Sequence, residues 1–161
     1  MSLPALHYPW NQDRPATGDR MTLREGIHWV RMPLPFALNH INLWMLNDDF
    51  DGRNGWTLVD SGVATEDIKT AWRTVWAQYS QGQPLHRMLV THMHPDHVGN
   101  AQWLIDEFSD GAQPARLWMS ATDHLAALLS SKETTGYGGS AATLFFKAHG
   151  LQDPDSLAKI E

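Results

Sequence analysis

The sequence predicts an α/β domain in which helices cover a sheet. Three observations support this: short apolar strands come first, a segment with helical spacing follows, and strands and helices then alternate. The chain has 161 residues, of which 42% are hydrophobic and 19% are charged, a composition typical of one globular domain. The order of these elements therefore predicts a layered α/β architecture.

Composition excludes several classes of protein. The chain has no cysteine, which excludes disulfides, thiolate zinc sites and cysteine nucleophiles. With 12 basic and 18 acidic residues the formal charge is −6, so we expect no nucleic-acid partner. Apolar runs are only a few residues long, so we expect no membrane-spanning helix. Because no secretory signal is visible either, we expect a cytoplasmic protein.

The chain starts with an irregular arm and continues into a series of strands. Prolines and turn-forming residues predict an irregular arm over residues 1–25 and a domain over 26–161. Stretches 27–32, 40–46 and 56–59 are predicted strands. The second and third of these strands are expected to form a hairpin, because the residues between them are rich in Asn, Asp and Gly.

Helices and strands alternate in the next part of the chain. Residues 65–79 place apolar side chains on one helical face, and 98–108 and 120–130 show the same spacing. Short apolar runs predict strands buried on both faces at 88–90 and 115–119.

Capping residues mark the helix starts. Thr65 is a predicted N-cap, and Ser120 with Asp123 occupies capping-box positions. Three leucines of that later helix are expected to face inward: Leu125, Leu128 and Leu129.

The last part of the sequence is less regular. Residues 134–140 contain several glycines and are predicted to form a flexible loop. A short helix is predicted at 141–149. Asp153 and Asp155 flank a proline and are expected to be solvated cap residues before a helix at 157–161.

One segment has the residue types of a metal site. THMHPDHVGN, residues 91–100, follows a predicted buried strand and precedes a helix, the position where α/β sheets place functional sites. His92 and His94 lie two apart in extended chain, so both can bind one metal ion. The proline after them bends the chain, so that Asp96 and His97 can bind a second. A histidine-rich surface loop is the alternative, but spacing, residue types and position all favour metal binding.

This segment resembles the H-x-H-x-D-H signature of the metallo-β-lactamase superfamily. The strand that ends in LVDSG, residues 58–62, resembles the first motif of that family. The resemblance covers roughly residues 26 to 130. It implies that the chain is the N-terminal half of an αββα four-layer sandwich, truncated before its C-terminal half.

The resemblance also implies roles for particular residues. His92 and His94 would bind the first metal, Asp96 and His97 the second, and Asp60 would orient a ligand without touching the metal. For Asp60, a turn role before the following glycine is an equally supported alternative. The expected cofactor is zinc, with two ions in the intact protein, and iron or manganese would also suit these ligands.

The family pattern requires further ligands that this sequence does not supply at recognisable positions. A third histidine for the first metal, a bridging aspartate and another histidine would come from the C-terminal half. Four of the remaining histidines lack ligand-like neighbours: His7, His28, His40 and His86. His124 is expected on a helix surface, and the context of His149 is that of an amphipathic helix end. We therefore expect an incomplete metal site.

The implied activity is hydrolysis. A metal-bound hydroxide would attack an ester, thioester, lactone or related bond of a small-molecule substrate, with Asp96 as the catalytic residue that orients the nucleophile. The histidine at position 97 makes the motif similar to hydroxyacylglutathione hydrolases rather than to β-lactam hydrolases that lack it.

Two other classes of function are considered. The chain would be a non-catalytic half-domain if an exposed apolar sheet face makes it associate as a homodimer or with a missing C-terminal half. A di-iron oxidoreductase is disfavoured, because that branch departs from the H-x-H-x-D-H pattern and carries an additional electron-transfer domain.

Overall fold

The computed structural model describes residues 6–10, 13–132 and 139–160. The described residues fall into two compact units, the first within Met1–Thr91 and Pro95–Trp118 and the second within His92–His94 and Met119–Glu161. None of the described helices is both long enough and apolar enough to cross a membrane.

The first unit contains a mixed sheet. Its strands are β1 (Asp19–Arg24), β2 (Ile27–Pro33), β3 (His40–Phe50), β4 (Arg53–Val59), β5 (Leu85–Leu89) and β6 (Arg116–Trp118). They lie in the order β1-β2-β3-β4-β5-β6. The pairs from β1 to β4 are antiparallel, whereas β5 is parallel to both β4 and β6. The carboxyl ends of β4 and β5 therefore lie at the same edge of the sheet, where the motif follows.

Helices connect the parallel strands. The first unit contains α1 (Glu66–Tyr79), α2 (Pro95–Val98) and α3 (Ala101–Phe108). The second unit contains α4 (Ala121–Ser130), α5 (Gly139–Ala148) and α6 (Pro154–Ala158). Because α1 joins β4 to β5, and α2 with α3 joins β5 to β6, both connections are crossovers of the kind that parallel strands require.

One face of the sheet forms the core of the first unit. Alternate strand residues on this face are fully buried, among them Leu43, Leu58 and Met88. Helix α1 contributes Trp72, which is also fully buried and whose Nε1 donates a hydrogen bond of 2.9 Å to the Ser61 carbonyl. Burial of these apolar side chains is the main source of stability for the sheet.

The other face carries an apolar row that runs across five strands. Its members are paired in register from β2 to β6: Trp29, Trp44, Val59, Leu89 and Trp118. Directly paired residues point to the same side of a sheet. Leu89 is 39% exposed and Trp118 is 51% exposed, so the end of the apolar row at β5 and β6 contacts solvent.

The predicted α/β class and most of the elements are confirmed. The strands β2 to β4 and the helices α1 and α3 lie where the apolar spacing places them. Strand β5 begins at Leu85, before the predicted 88–90, and the predicted burial of both its faces is wrong, because Leu89 is 39% exposed. The hairpin between β3 and β4 is longer than predicted, because its turn is confined to Asp51 and Gly52, which have φ of 54° and 74°. Such left-handed residues suit a two-residue hairpin turn, so the flanking polar residues continue the strands.

Residues 19–24 differ from the prediction. They belong to the predicted irregular arm of residues 1–25 but form β1, which pairs with β2 from Asp19 to Arg24. Strand formation here depends on backbone pairing with β2, which local sequence patterns do not report. Strand β6 was expected to be buried on both faces, but all three of its residues are exposed because it is the edge of the sheet.

The second unit also differs in detail. Ser120 caps α4 as predicted, since its side chain accepts a hydrogen bond from the Asp123 N–H. The inward face expected for this helix is wrong: its leucines are 60%, 49% and 60% exposed, in the order Leu125, Leu128 and Leu129.

Helix α5 begins at Gly139, and α6 begins at Pro154, earlier than the predicted starts. Proline suits the first turn of a helix, which explains the second of these differences. Residues 134–138 of the predicted loop 134–140 lie outside the described residues, and its last two residues belong to α5.

The two faces of the sheet should respond differently to the same truncation. We expect Leu58→Ala to lower the free energy of unfolding by about 2–5 kcal/mol, because it opens a cavity in the core. Leu89→Ala, on the partly exposed face, should cost about 1 kcal/mol or less. Urea unfolding of both variants measures the free energy of unfolding. Equal losses of this free energy would contradict the assignment of the core to the face that carries Leu58.

Candidate metal centre

Asp60 lies directly after β4, at the carboxyl edge of the sheet. It is 5% exposed and has a φ of 61°, in the left-handed region that residues other than glycine adopt infrequently. Its backbone N–H donates a hydrogen bond of 2.8 Å to the Leu89 carbonyl, which continues the pairing of β4 with β5.

The Asp60 carboxylate joins two parts of the motif. It accepts hydrogen bonds from the Thr91 N–H at 2.8 Å and from the Thr91 hydroxyl at 2.8 and 3.0 Å. Its Oδ2 is also 2.9 Å from Nδ1 of His97. An ionised carboxylate only accepts, so Nδ1 carries the hydrogen and the lone pair of a neutral ring lies on Nε2. This contact fixes the orientation of the His97 ring.

Asp96 and His97 form a donor pair on α2. His97 Nε2 is 3.5 Å from Asp96 Oδ2, and both side chains are partly exposed. Two ligands bound to one zinc ion at 2.0–2.1 Å in a tetrahedron lie about 3.3 Å apart. The nitrogen and oxygen thus have nearly the separation that shared coordination of one metal ion needs, so this pair fits a metal.

His92 and His94 form a second donor pair, within the second unit. Nε2 of His92 is 3.0 Å from Nδ1 of His94, and the two rings meet edge-on at 74°. The intervening backbone is fixed, because the Met93 N–H donates a hydrogen bond of 3.2 Å to the Asp123 carboxylate. Two imidazole nitrogens at this separation also fit ligation of one cation.

Helix α2 is held in place by three small residues that were not predicted from the sequence. The Ser61 hydroxyl donates a hydrogen bond of 2.7 Å to the His97 carbonyl and accepts one of 3.1 Å from the Asn100 N–H. Asn100 Nδ2 donates to the Val63 carbonyl at 2.6 Å. A Cβ at Gly99 would lie 2.3 Å from the Pro95 carbonyl oxygen, so only glycine fits there. The signal available in the sequence was the pair of small-residue runs after each motif, Ser-Gly and Gly-Asn.

The structure brings the motif's histidine and aspartate side chains together in pairs. Among the described residues, no three or more histidine, aspartate or glutamate side chains come together as a group that could hold a metal ion. Asp60, Asp96 and His97 lie in the first unit, whereas His92 and His94 lie in the second.

Several histidines that we expected not to be ligands have structural partners. His28 is buried beside Arg20, Thr22 and Asn47. Burial lowers the pKa of His28, and the Arg20 charge lowers it further. Nδ1 of His149 donates a hydrogen bond of 2.8 Å to the Phe145 carbonyl, which accounts for its position near the end of α5.

The histidine–aspartate motif follows β5 at the carboxyl end of the parallel strands, where α/β sheets place functional sites. The family model of the metallo-beta-lactamase superfamily matches residues 39–142. This chain belongs to the metallo-beta-lactamase superfamily.

Solved structures agree with this assignment. A beta-lactamase domain protein from Burkholderia ambifaria is 41% identical with a TM-score of 0.77, and the match covers 94% of this chain and 42% of that one. A metallo-beta-lactamase family protein from Thermus thermophilus has the same fold, with 20% identity and a TM-score of 0.61. That match covers 86% of this chain and 43% of the other. This chain thus spans less than half the length of either protein. No curated protein matches the chain.

The close packing around α2 predicts a sharp difference between two glycine substitutions. Gly99→Ala should lower the free energy of unfolding by about 1–3 kcal/mol, because its Cβ overlaps the Pro95 carbonyl and must displace the helix. Gly111→Ala is the control, since nothing lies within 4 Å of its added Cβ. Its effect should stay within about 0.5 kcal/mol. Urea unfolding curves that coincide for the two variants would contradict the packing described for α2.

Proposed function

We propose that this chain carries the metal-binding motif of a hydrolase that cleaves an ester, thioester, lactone or related bond in a small molecule. The observation that supports this most directly is the presence of two donor pairs within residues 92–97. Asp60 adds support, because its carboxylate holds Nδ1 of His97 and so orients the ring.

The proposed cofactor is zinc, with two ions in the intact site. His92 and His94 would hold the first ion, and Asp96 and His97 the second. Nitrogen and carboxylate donors also suit iron and manganese. When bound, such an ion lowers the pKa of its water to about 7, which supplies a nucleophile at neutral pH.

The side chains of the chain have separate tasks in this proposal. Asp60 positions His97 and does not touch the substrate. Asp96 is partly exposed and orients the attacking water. The water oxygen forms a bond to the acyl carbon, the bond to the leaving oxygen or sulfur breaks, and Asp96 passes the proton to that atom. Asp96 is therefore the proposed catalytic residue.

Two metal ions need more ligands than these four side chains provide. We propose that the others, a further histidine and a bridging aspartate among them, come from a segment outside residues 92–97. The activity of a longer protein that contains such a segment is part of the same proposal.

Metal content per folded chain tests the proposed site. We expect zinc to bind, His92→Ala to abolish or greatly weaken binding of the first ion, and Asp96→Asn to do the same for the second. Asp60→Asn should weaken zinc affinity by about 10- to 100-fold, because it removes the charge that orients His97. His124→Ala on α4 is the control and should bind zinc like the parent chain. Elemental analysis after dialysis gives the stoichiometry, and competition with a chelator gives the affinity.

Hydrolysis of ester, thioester and lactone substrates is the second readout. In a protein that turns over any of them, Asp96→Asn should lower the rate by at least about 100-fold. Zinc that binds equally well to the parent, His92→Ala and Asp96→Asn would contradict the ligand assignment. A folded, zinc-loaded protein that hydrolyses none of these bonds would contradict the reaction class.

A second candidate function is association without catalysis. The apolar row is the specific observation that favours it, because paired side chains from five strands present one continuous strip. A second copy of the chain could place the same strip against it across a two-fold axis. In this alternative the chain is a half-domain that forms a homodimer through the sheet.

Light scattering distinguishes this alternative. A homodimer through the apolar row should dissociate when Leu89→Asp and Trp118→Asp place charges in the strip. Leu125→Asp, on the exposed side of α4, is the matched control and should leave the mass unchanged. A parent chain that is a monomer at high micromolar concentration would contradict the dimer.

A further inference from the structure

A cavity of about 310 Å³ lies at the end of the sheet opposite the histidine motif. It is lined by residues from the β3–β4 hairpin, from β5 and from the segment that enters β6: Phe50, Arg53, His86, Gln113, Pro114 and Arg116. Arg53 begins β4 and Asp60 follows its last residue. Because a strand rises about 3.3 Å per residue, roughly 20 Å separate Arg53 from Asp60.

The lining of this cavity is positive, although the chain as a whole has a formal charge of −6. It contains two arginines and no carboxylate. Within the described part of the chain, Arg53 and Arg116 make no ion pair, whereas the nearby Arg87 is paired with Asp48 at 3.0 Å. Asp110 belongs to the same loop as Gln113, but its carboxylate accepts a hydrogen bond of 3.1 Å from the Ala112 N–H.

Two arginine side chains, Arg87 and Arg116, contact the ring of Phe50. The Arg87 and Arg116 guanidinium carbons lie 4.9 and 5.6 Å from the centroid of the Phe50 ring. A cation–π contact with this ring holds the Arg116 side chain. Phe50 therefore positions one of the two arginines of the cavity.

His86 lines the cavity and forms a hydrogen bond to the backbone of Arg53. The ring is 6% exposed, and its Nε2 donates a hydrogen bond of 3.0 Å to the backbone carbonyl of Arg53. A Cβ at Gly55 would lie 2.3 Å from this same nitrogen, so the ring occupies space that only glycine leaves open. The backbone that carries Arg53 is thereby held against β5.

We propose that this cavity binds a phosphate-bearing small molecule, with the phosphate group between Arg53 and Arg116. The planar fork of a guanidinium matches phosphate oxygens in a bidentate arrangement. Ligand pockets begin at about 300 Å³, so the cavity has room for a phosphate with a small organic substituent. The site is independent of the metal proposed for the histidine motif.

Titration of the full chain with inorganic phosphate tests this site. Ionic strength is held constant with sodium chloride, and EDTA is present so that no metal-bound phosphate contributes. We expect saturable shifts of the backbone amides of residues 50–53, 113, 115 and 116 in two-dimensional NMR spectra. Arg53→Gln and Arg116→Gln should each weaken binding by about tenfold or more. Arg24→Gln, at an exposed position of β1, is the control and should bind like the parent.

Three results would overturn the proposal. Shifts that follow chloride as well as phosphate would show screening and no site. Unchanged phosphate affinity in folded Arg53→Gln and Arg116→Gln would show that the two arginines do not form one. Acetate that binds as tightly as phosphate would assign the cavity to carboxylates. Amide spectra that match the parent outside the cavity confirm that the variants are folded.

Discussion

The buried carboxylate of Asp60 connects the end of β4 to the histidine motif, and the geometry of the motif depends on this connection. Asp60 receives hydrogen bonds from the backbone and side chain of Thr91 after β5, and from the ring of His97 on α2. A buried charge is costly unless it is paired and hydrogen-bonded, so these partners account for its position at 5% exposure. The end of β4 is thereby fixed to two points of the motif that lie 31 and 37 residues further along the chain.

The end of β4 is also connected to the apolar core. Ser61 follows Asp60 and accepts, through its carbonyl, the indole hydrogen bond of the buried Trp72. Its hydroxyl donates to the His97 carbonyl. Asp60 has a left-handed backbone conformation, and such conformations persist only where the surrounding contacts determine them. Packing of α1 on the sheet and orientation of the motif therefore depend on the same few residues.

Much of the fold was predictable because it rests on spacing. The apolar periods of β2 to β4, α1 and α3 appear directly in the sequence. Strand β1 was not predictable, since it depends on pairing with β2, and neither was the exposure of the leucines of α4. In both cases tertiary surroundings decide the outcome, and a periodic pattern contains no information about them.

The residues of the candidate site were also predictable only in part. The four histidine and aspartate side chains of the motif lie within six residues, so their spacing alone identified them. Ser61 and Asn100 were missed because a single small polar residue has no periodic signature. The positive cavity was missed because Arg53 and Arg116 are brought together only by the sheet, which places both at the same end of its parallel strands.

Metal binding through particular ring nitrogens of the motif can be followed by NMR of the histidine side chains during a zinc titration. We expect the imidazole ¹⁵N signals of His92, His94 and His97 to shift on zinc binding, with Nε2 of His97 as the coordinating nitrogen and Nδ1 still protonated toward Asp60. Signals of His28 and His149, which have structural partners, should not move. Zinc-induced shifts spread equally over all the histidines, or coordination of His97 through Nδ1, would contradict this assignment.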